Sequence, residues 1–194
     1  MTKKQSFLEI ETLIKVAKVL DELKIPYYVS GGYAVSIYGR PRFTADLDIV
    51  IKMVPVQTDE FSGHMETLFS KGYVDREQIN NAFKEIGEFN VIDPESGLKI
   101  DFFIAQKGDF EEECFKKTKR KDVGYKVKFI SPENLIISKL LWYKDSGSTR
   151  HLEDIESVLS NSNIDKKYLD SWIKKLGLEK EWNEAKALKK QKLL

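Results

Sequence analysis

Two acidic residues, Asp46 and Asp48, stand two positions apart in a segment typical of a buried strand, residues 46–51. The neighbouring Leu47 and Ile49 are apolar. Because side chains alternate along a strand, both carboxylates are expected on one face. Two like charges this close raise each other's pKa, and a bound cation removes that penalty. Since Mg²⁺ prefers oxygen ligands, the pair predicts a divalent-metal site.

A third acid, Asp101, interrupts the apolar segment 100–104. A carboxylate among such residues is rarely buried without a partner. Three carboxylates can hold two metal ions about 4 Å apart, an arrangement that suits in-line phosphoryl transfer. An Asp-x-Asp pair alone is more often a solvated strand face, so other parts of the chain must decide between the two interpretations.

The pair Gly31-Gly32 follows Ser30 and lies between a predicted strand, 27–30, and a predicted short helix, 33–38. Glycine lets the backbone approach a phosphate closely, and a helix N-terminus offers free N–H groups to an anion. A Gly-Gly pair alone is usually only a tight turn. Its position ahead of the paired acids makes the combination more specific than either part.

The ordered motifs resemble the polymerase-beta-type nucleotidyltransferase superfamily. They are Ser30-Gly31-Gly32, then thirteen residues, then Asp46-Leu47-Asp48-Ile49, and later Ile100-Asp101-Phe102. Three further segments resemble the minimal and AbiEii-like, toxin–antitoxin-type members: Arg42–Asp48, Pro132–Leu140 and Arg150–Ile155, the last with His151 where an Asp often stands. The likeness covers roughly residues 25–160.

The resemblance implies a role for each matching residue. Ser30, Gly31 and Gly32 would bind the nucleotide, with the glycines against the triphosphate. Asp46, Asp48 and Asp101 would be the catalytic metal ligands for two Mg²⁺ ions, with Mn²⁺ as an alternative metal. Asp101 would also help to deprotonate the acceptor hydroxyl.

Three more nucleotide-binding candidates follow, each with a structural alternative. Thr44 would orient the paired acids or donate to phosphate, or else form a strand-entry hydrogen bond. Arg42 would bind the triphosphate or be a solvated loop residue. Lys139, in an apolar helical segment, would bind phosphate or extend its ammonium group to water. Asp154 would pair with Lys139, serve the active site or lie on a helix surface.

A basic run at 116–121 contains five charges in six residues and follows three consecutive glutamates. One interpretation is a solvated segment with local charge pairing. The other is a patch for a polynucleotide acceptor such as tRNA, or for an acidic partner. The sequence leaves both open.

The composition sets limits on class and location. The chain has 194 residues, 32 basic and 31 acidic, hence a net charge of +1, which argues against nucleic-acid binding by bulk charge alone. One cysteine, Cys114, excludes an internal disulfide and four-Cys zinc sites. The absence of a hydrophobic leader or a spanning segment leads us to expect a cytoplasmic protein with no membrane contact.

The predicted elements indicate an α/β (α+β) protein with a nucleotidyltransferase-type mixed sheet flanked by helices. We expect an α/β domain over 1–130 and a helical region over 131–194 packed on it. The predicted helices are 6–23, 33–38, 59–71, 131–144, 150–160, 164–176 and 178–191, and the predicted strands are 27–30, 46–51, 89–92, 98–104 and 125–130, with 89–104 forming a hairpin.

The resemblance therefore predicts an Mg²⁺-dependent enzyme that moves a nucleoside monophosphate from an NTP, such as ATP, to a hydroxyl of RNA (tRNA among the candidates), protein or a small molecule. Two alternatives stay open. One is a toxin–antitoxin component that acts mainly by binding a partner protein. The other is a catalytically silent, NTP-binding regulator.

Overall fold

A computed structural model describes residues 3–85 and 87–191. Residues 1–2 of the first expected domain, residues 192–194 of the second, and Ile86 lie outside the described residues. Contacts divide the chain into two compact units, Met1–Tyr33 with Phe43–Ile130, and Ala34–Arg42 with Ser131–Leu194. We call them the sheet unit and the helical unit. The helical unit includes residues 34–42 as well as the region after residue 130. The expected domains, 1–130 and 131–194, and the packing of the second on the first stay predictions.

The sheet unit contains seven strands in the described residues. They are β1 (Tyr27–Val29), β2 (Asp46–Ile51), β3 (Tyr73–Val74), β4 (Glu88–Ile92), β5 (Lys99–Ile104), β6 (Lys119–Asp122) and β7 (Lys126–Phe129). Their order is β3-β4-β5-β2-β1-β7-β6. The pairs β2–β5 and β1–β7 are parallel and the others antiparallel, so the expected mixed sheet is confirmed.

Four helices belong entirely to the sheet unit: α1 (Lys3–Glu22), α3 (Thr58–Leu68), α4 (Arg76–Glu85) and α5 (Asp109–Lys116). Helix α2 (Gly31–Tyr38) begins in this unit, and a 3₁₀ turn at Pro55–Gln57 precedes α3. Helix α3 ends three residues before the predicted end at 71, with Phe69 at its C-cap.

Alternation in the two central strands fixes which side chains enter the core. In β2, Leu47, Ile49 and Ile51 are fully buried while the residues between them are exposed or half-buried. Burying each such side chain contributes about 1.5–3 kcal/mol. Phe102 of β5 stacks on Phe89 of β4 with ring centroids 5.0 Å apart. This apolar layer holds β2 and β5 rigidly enough to position the side chains on their other face.

The helical unit contains α6 (Pro132–Ser146), α7 (Thr149–Asn161), α8 (Lys166–Leu176) and α9 (Glu179–Gln191). The sequence predicts these four helices to within two residues at each end. Ser131 caps α6 by accepting a hydrogen bond from the backbone N–H of Asn134, and Pro132 occupies the first turn. Gly147 ends α6 in the left-handed conformation. In the described residues, no helix is long and apolar enough to cross a membrane.

Four elements were not predicted: β3, α4, α5 and β6. All four are short, with 2, 10, 8 and 4 residues. Within α5 the one buried residue is Cys114, and all four residues of β6 are exposed. The two strands are set by pairing with β4 and β7 rather than by an apolar alternation of their own.

Candidate active site

The three predicted carboxylates lie on two neighbouring parallel strands. The register of β2 and β5 sets Asp48 opposite Asp101 and Asp46 opposite Lys99. Directly opposed residues in a sheet point to the same face. The structure therefore brings Asp46, Asp48 and Asp101 to one face of the central sheet, and Asp101 is 8% exposed.

A lysine that the sequence interpretation missed enters this group. Lys99 Nζ lies 2.7 Å from Oδ1 of Asp101. This hydrogen bond is the main cause that raises the pKa of Lys99. Its position two residues before Asp101 on a strand is a signal that could have placed it on the same face. In the described residues, no three His, Cys, Asp or Glu side chains are arranged to hold a metal ion.

Thr44 contacts the first of the paired acids. Its hydroxyl donates to Oδ1 of Asp46 over 2.7 Å, and Thr44 itself is buried. The same hydroxyl lies 3.3 Å from the backbone carbonyl oxygen of Asp46, as a strand-entry hydrogen bond would, so the orienting role stays a prediction. A short hydrogen bond from a buried donor restricts the Asp46 carboxylate, which is otherwise exposed.

The glycine tripeptide lies directly beside the second acid. The backbone N–H of Ser30 donates to the carbonyl oxygen of Asp48 over 2.9 Å. Gly31 begins α2 with φ +57°, a left-handed conformation. A Cβ on Gly31 would overlap the Oδ2 atom of Asp48 and lie 2.9 Å from its Cβ. Glycine is thus required here by both the backbone and the neighbouring carboxylate, and Gly32 continues the first turn.

The remaining predicted cations belong to the helical unit, where both bind one carboxylate. Arg42 donates from Nε and Nη2 to the two oxygens of Asp154 over 2.9 and 3.1 Å. Lys139 Nζ lies 2.9 Å from Oδ2 of the same residue. The pairing of Asp154 with Lys139 is confirmed. The alternatives of a solvated Arg42, a Lys139 that extends to water and a surface Asp154 are wrong.

Burial strengthens this three-residue cluster. Asp154 is 3% exposed and Lys139 8%. His151 lies on α7, three residues before Asp154. Burial is the largest cause that lowers the pKa of His151. The positive charges of Lys139, Arg150 and Arg42 act in the same direction, and Asp154 opposes them. Two cations on one carboxylate leave the cluster with a net positive charge.

A cavity of about 530 Å³ in the sheet unit lies elsewhere, between α4 and the start of β4. Its lining residues are Asp75, Glu77, Gln78, Asn81, Ala82, Gly87 and Glu88. None of the site residues predicted from the sequence lines it.

Known structures share this fold. The solution structure of the antibiotic-resistance factor ANT(2'')-Ia is 16% identical with a TM-score of 0.57, over 92% of this chain and 97% of that chain. A lincomycin-bound lincosamide antibiotic adenylyltransferase, LnuA, is 15% identical with a TM-score of 0.51, over 84% of this chain and 99% of that chain. Among curated proteins, none matches the chain.

A family model described as "Nucleotidyl transferase of unknown function (DUF2204)" matches residues 9–189. This match covers nearly the whole chain and confirms the resemblance to nucleotidyltransferases that the sequence motifs indicate. The protein belongs to the DUF2204 family of nucleotidyl transferases.

Proposed function

We propose that this nucleotidyltransferase moves a nucleoside monophosphate from an NTP to an acceptor hydroxyl with the help of Mg²⁺. The observation that carries the proposal is the β2–β5 register, which sets Asp48 opposite Asp101 with Asp46 on the same face. Like charges on one sheet face repel each other, and a bound cation would offset that repulsion.

The donor chemistry of the paired acids fits Mg²⁺, because both offer carboxylate oxygens on a rigid strand. Asp46 and Asp48 would hold the metal, and Asp101 would complete the set for two ions. In the structure Lys99 binds Asp101, so Asp101 joins the set when that ammonium group moves. Bound Mg²⁺, or Mn²⁺ in its place, lowers the pKa of an attacking hydroxyl and neutralises phosphate charge.

Gly31 supports the placement of the triphosphate. Without a side chain it lets the first turn of α2 lie directly against the Asp48 carboxylate, and a helix N-terminus favours an anion such as a metal-bound phosphate. Ser30 and Gly32 flank it in the same turn. The family resemblance also assigns Arg42 and Lys139 to the phosphates, and within the helical unit both are held by Asp154.

The reaction forms one bond and breaks one bond at the α-phosphorus. The acceptor oxygen attacks the α-phosphorus, and the bond to the β-phosphate oxygen breaks to release pyrophosphate. The acceptor's proton passes to the carboxylate of Asp101. Thr44 holds Asp46 in a fixed orientation throughout through its 2.7 Å hydrogen bond.

Two of the structures that share the fold support ATP as the donor. LnuA is an adenylyltransferase, and ANT(2'')-Ia was solved with adenylyl-2''-tobramycin. The same chemistry would also serve a toxin–antitoxin component that modifies a partner protein.

The proposal is tested with NTPs labelled at the α-phosphate and a panel of acceptors. The panel contains tRNA, peptides with Ser, Thr and Tyr, tobramycin and lincomycin, each with Mg²⁺. We expect label on at least one acceptor with equal release of pyrophosphate, and loss of both when EDTA removes the metal. Calorimetric binding of Mg²⁺-NTP with no transfer to any acceptor would instead indicate an NTP-binding regulator and would overturn the proposal.

A further inference from the structure

The strongest charge asymmetry of the molecule lies at one edge of the sheet. Residues 116–128 hold seven basic residues and one acidic residue, a local charge of +6 in a chain whose total is +1. The rest of the chain therefore carries −5. The segment comprises the end of α5 and the two-stranded ribbon β6–β7, with β6 as the edge strand.

The glutamates that precede this segment do not neutralise the ribbon. Glu111 accepts a hydrogen bond from the hydroxyl of Tyr28 over 2.7 Å. Glu112 lies 3.5 Å from Nζ of Lys52. Glu113 pairs with Lys116 of the same helix. Local charge pairing, one of the two interpretations of the basic run, therefore applies at least to Lys116.

Two acids in or beside the ribbon also have partners. Asp122 accepts from the backbone N–H of Gly124 in the turn between the strands. Asp21 of α1 pairs with Lys128 and accepts from Tyr125. In the part of the chain that the structure describes, Lys119, Arg120 and Lys126 have no ion-pair partner.

The register of the ribbon sets Arg120 of β6 directly opposite Lys128 of β7, and Asp122 opposite Lys126. Lys128 also pairs with Asp21, so Arg120 is the member of the like-charged pair that no acid among the described residues offsets. Like charges in directly opposed positions destabilise a strand pair. All four residues of β6 are exposed. Lysines do protect edge strands from pairing with other chains, but that protection does not require an arginine opposite a lysine.

We propose that the β6–β7 ribbon binds the phosphate backbone of a single-stranded polynucleotide, which presents the acceptor hydroxyl. The acceptor role rests on the proposed function, whereas binding to the ribbon does not. Strand β6 lies three strands from β2 in the same sheet, which is about 14 Å at the usual spacing. About four nucleotides span that distance at 3.4 Å each, so a strand held at the ribbon can bring its end to Asp48.

The test measures binding of fluorescein-labelled single-stranded RNA, and of DNA of the same sequence, by anisotropy without NTP at salt concentrations between about 50 and 200 mM. The variant is Lys119→Gln/Arg120→Gln/Lys121→Gln in the full chain. Its control is Lys166→Gln/Lys167→Gln/Lys180→Gln, which removes the same charge from exposed positions of the helical unit. The single variant Arg120→Gln provides a second, milder change.

We expect the ribbon variant to lose at least about tenfold in affinity and about two units of the salt slope, at about 0.7 per phosphate contact on a single strand. Arg120→Gln should lose about one third of that slope, and the control should bind as the wild type does. Equal loss in both triple variants would show binding by bulk charge and overturn the proposal. Unchanged RNA binding by the ribbon variant would also overturn the proposal. Aggregation of that variant would then show that the ribbon protects the sheet edge, and nucleotide transfer to a protein substrate would show a different acceptor.

Two outcomes separate this proposal from the proposed function. If RNA binds but no nucleotide is transferred by the wild type, the proposed function fails while the ribbon surface stands. If nucleotide is transferred to a small molecule and RNA does not bind, the ribbon proposal fails alone.

Discussion

Gly31 and Asp48 lie so close together that a single methyl group on Gly31 would overlap the carboxylate of Asp48. The left-handed backbone of Gly31, with φ +57°, adds a second reason for glycine at this position. The start of α2 and the carboxylate face of β2 are therefore matched to each other at atomic contact. Any shift of one displaces the other.

Gly31→Ala should consequently reduce transfer activity much more than it reduces stability. The displaced Asp48 carboxylate should lower the rate by about 100-fold, the scale expected for a misplacement of about 1 Å. The control is Gly97→Ala, which has φ +70° and no atom within 4 Å of the added Cβ. It should cost about 1–2 kcal/mol of unfolding free energy with activity retained. Equal transfer rates in Gly31→Ala and Gly97→Ala would show that the Gly31–Asp48 contact does not contribute to activity.

The buried carboxylate of Asp154 should carry much of the stability of the helical unit. Asp154→Asn leaves Lys139 and Arg42 without their counter-charge, and removal of one partner from a buried ion pair costs about 3–5 kcal/mol. All three tryptophans lie between residues 142 and 182, so tryptophan fluorescence during urea denaturation reports on this unit.

The neighbouring residue on the same helix provides the control for Asp154. Glu153 is exposed, and Glu153→Gln should change the unfolding free energy by less than about 0.5 kcal/mol. A loss of similar size in both variants would contradict the assignment of Asp154 as the hub of the cluster.

His151 should make the helical unit less stable in mild acid. Burial, together with the charges of Lys139, Arg150 and Arg42, lowers its pKa from 6.5, while Asp154 opposes the shift. The unfolded chain therefore binds the proton more readily than the folded one, so stability is complete above pH 6.5 and falls as the pH drops toward the folded-state pKa.

His151→Gln should remove this part of the pH dependence. Urea denaturation followed by tryptophan fluorescence between pH 8 and pH 5 compares the two proteins. We expect the curves of unfolding free energy to diverge below pH 6.5, with the steeper fall in the wild type. Parallel curves over this range would contradict the account.

The sequence predicts those parts of the fold and site that depend on local patterns, such as strand alternation and helix capping. Alternation in β2 places Asp46 and Asp48 on one face, and helix signals such as Ser131-Pro132 locate α6. The opposition of Asp48 and Asp101 depends on strand register, which is set by contacts between distant segments. The sequence analysis missed Lys99, although its strand spacing from Asp101 was a signal, and it left the role of Asp154 undecided, because the pairing of distant segments needs the packed structure to define it.

The unpredicted elements have the same explanation. Strand β6 is entirely exposed and basic, so it has no apolar alternation to reveal it. Its backbone pairs with β7 from Lys119 to Asp122, and only this pairing shows that part of the basic run is a strand. The structure therefore places residues 119–121 of the basic run on an exposed edge strand.

The central claim is that Asp46, Asp48 and Asp101 form a metal-dependent transfer site, and one measurement tests it most directly. Wild type, Asp48→Asn and the control Asp59→Asn, an exposed acid of α3, are incubated with Mg²⁺, α-labelled ATP and the responsive acceptor. We expect equal transfer by wild type and Asp59→Asn, and loss of at least about 1,000-fold in Asp48→Asn with the circular dichroism spectrum unchanged. Equal transfer by Asp48→Asn and wild type would contradict the account.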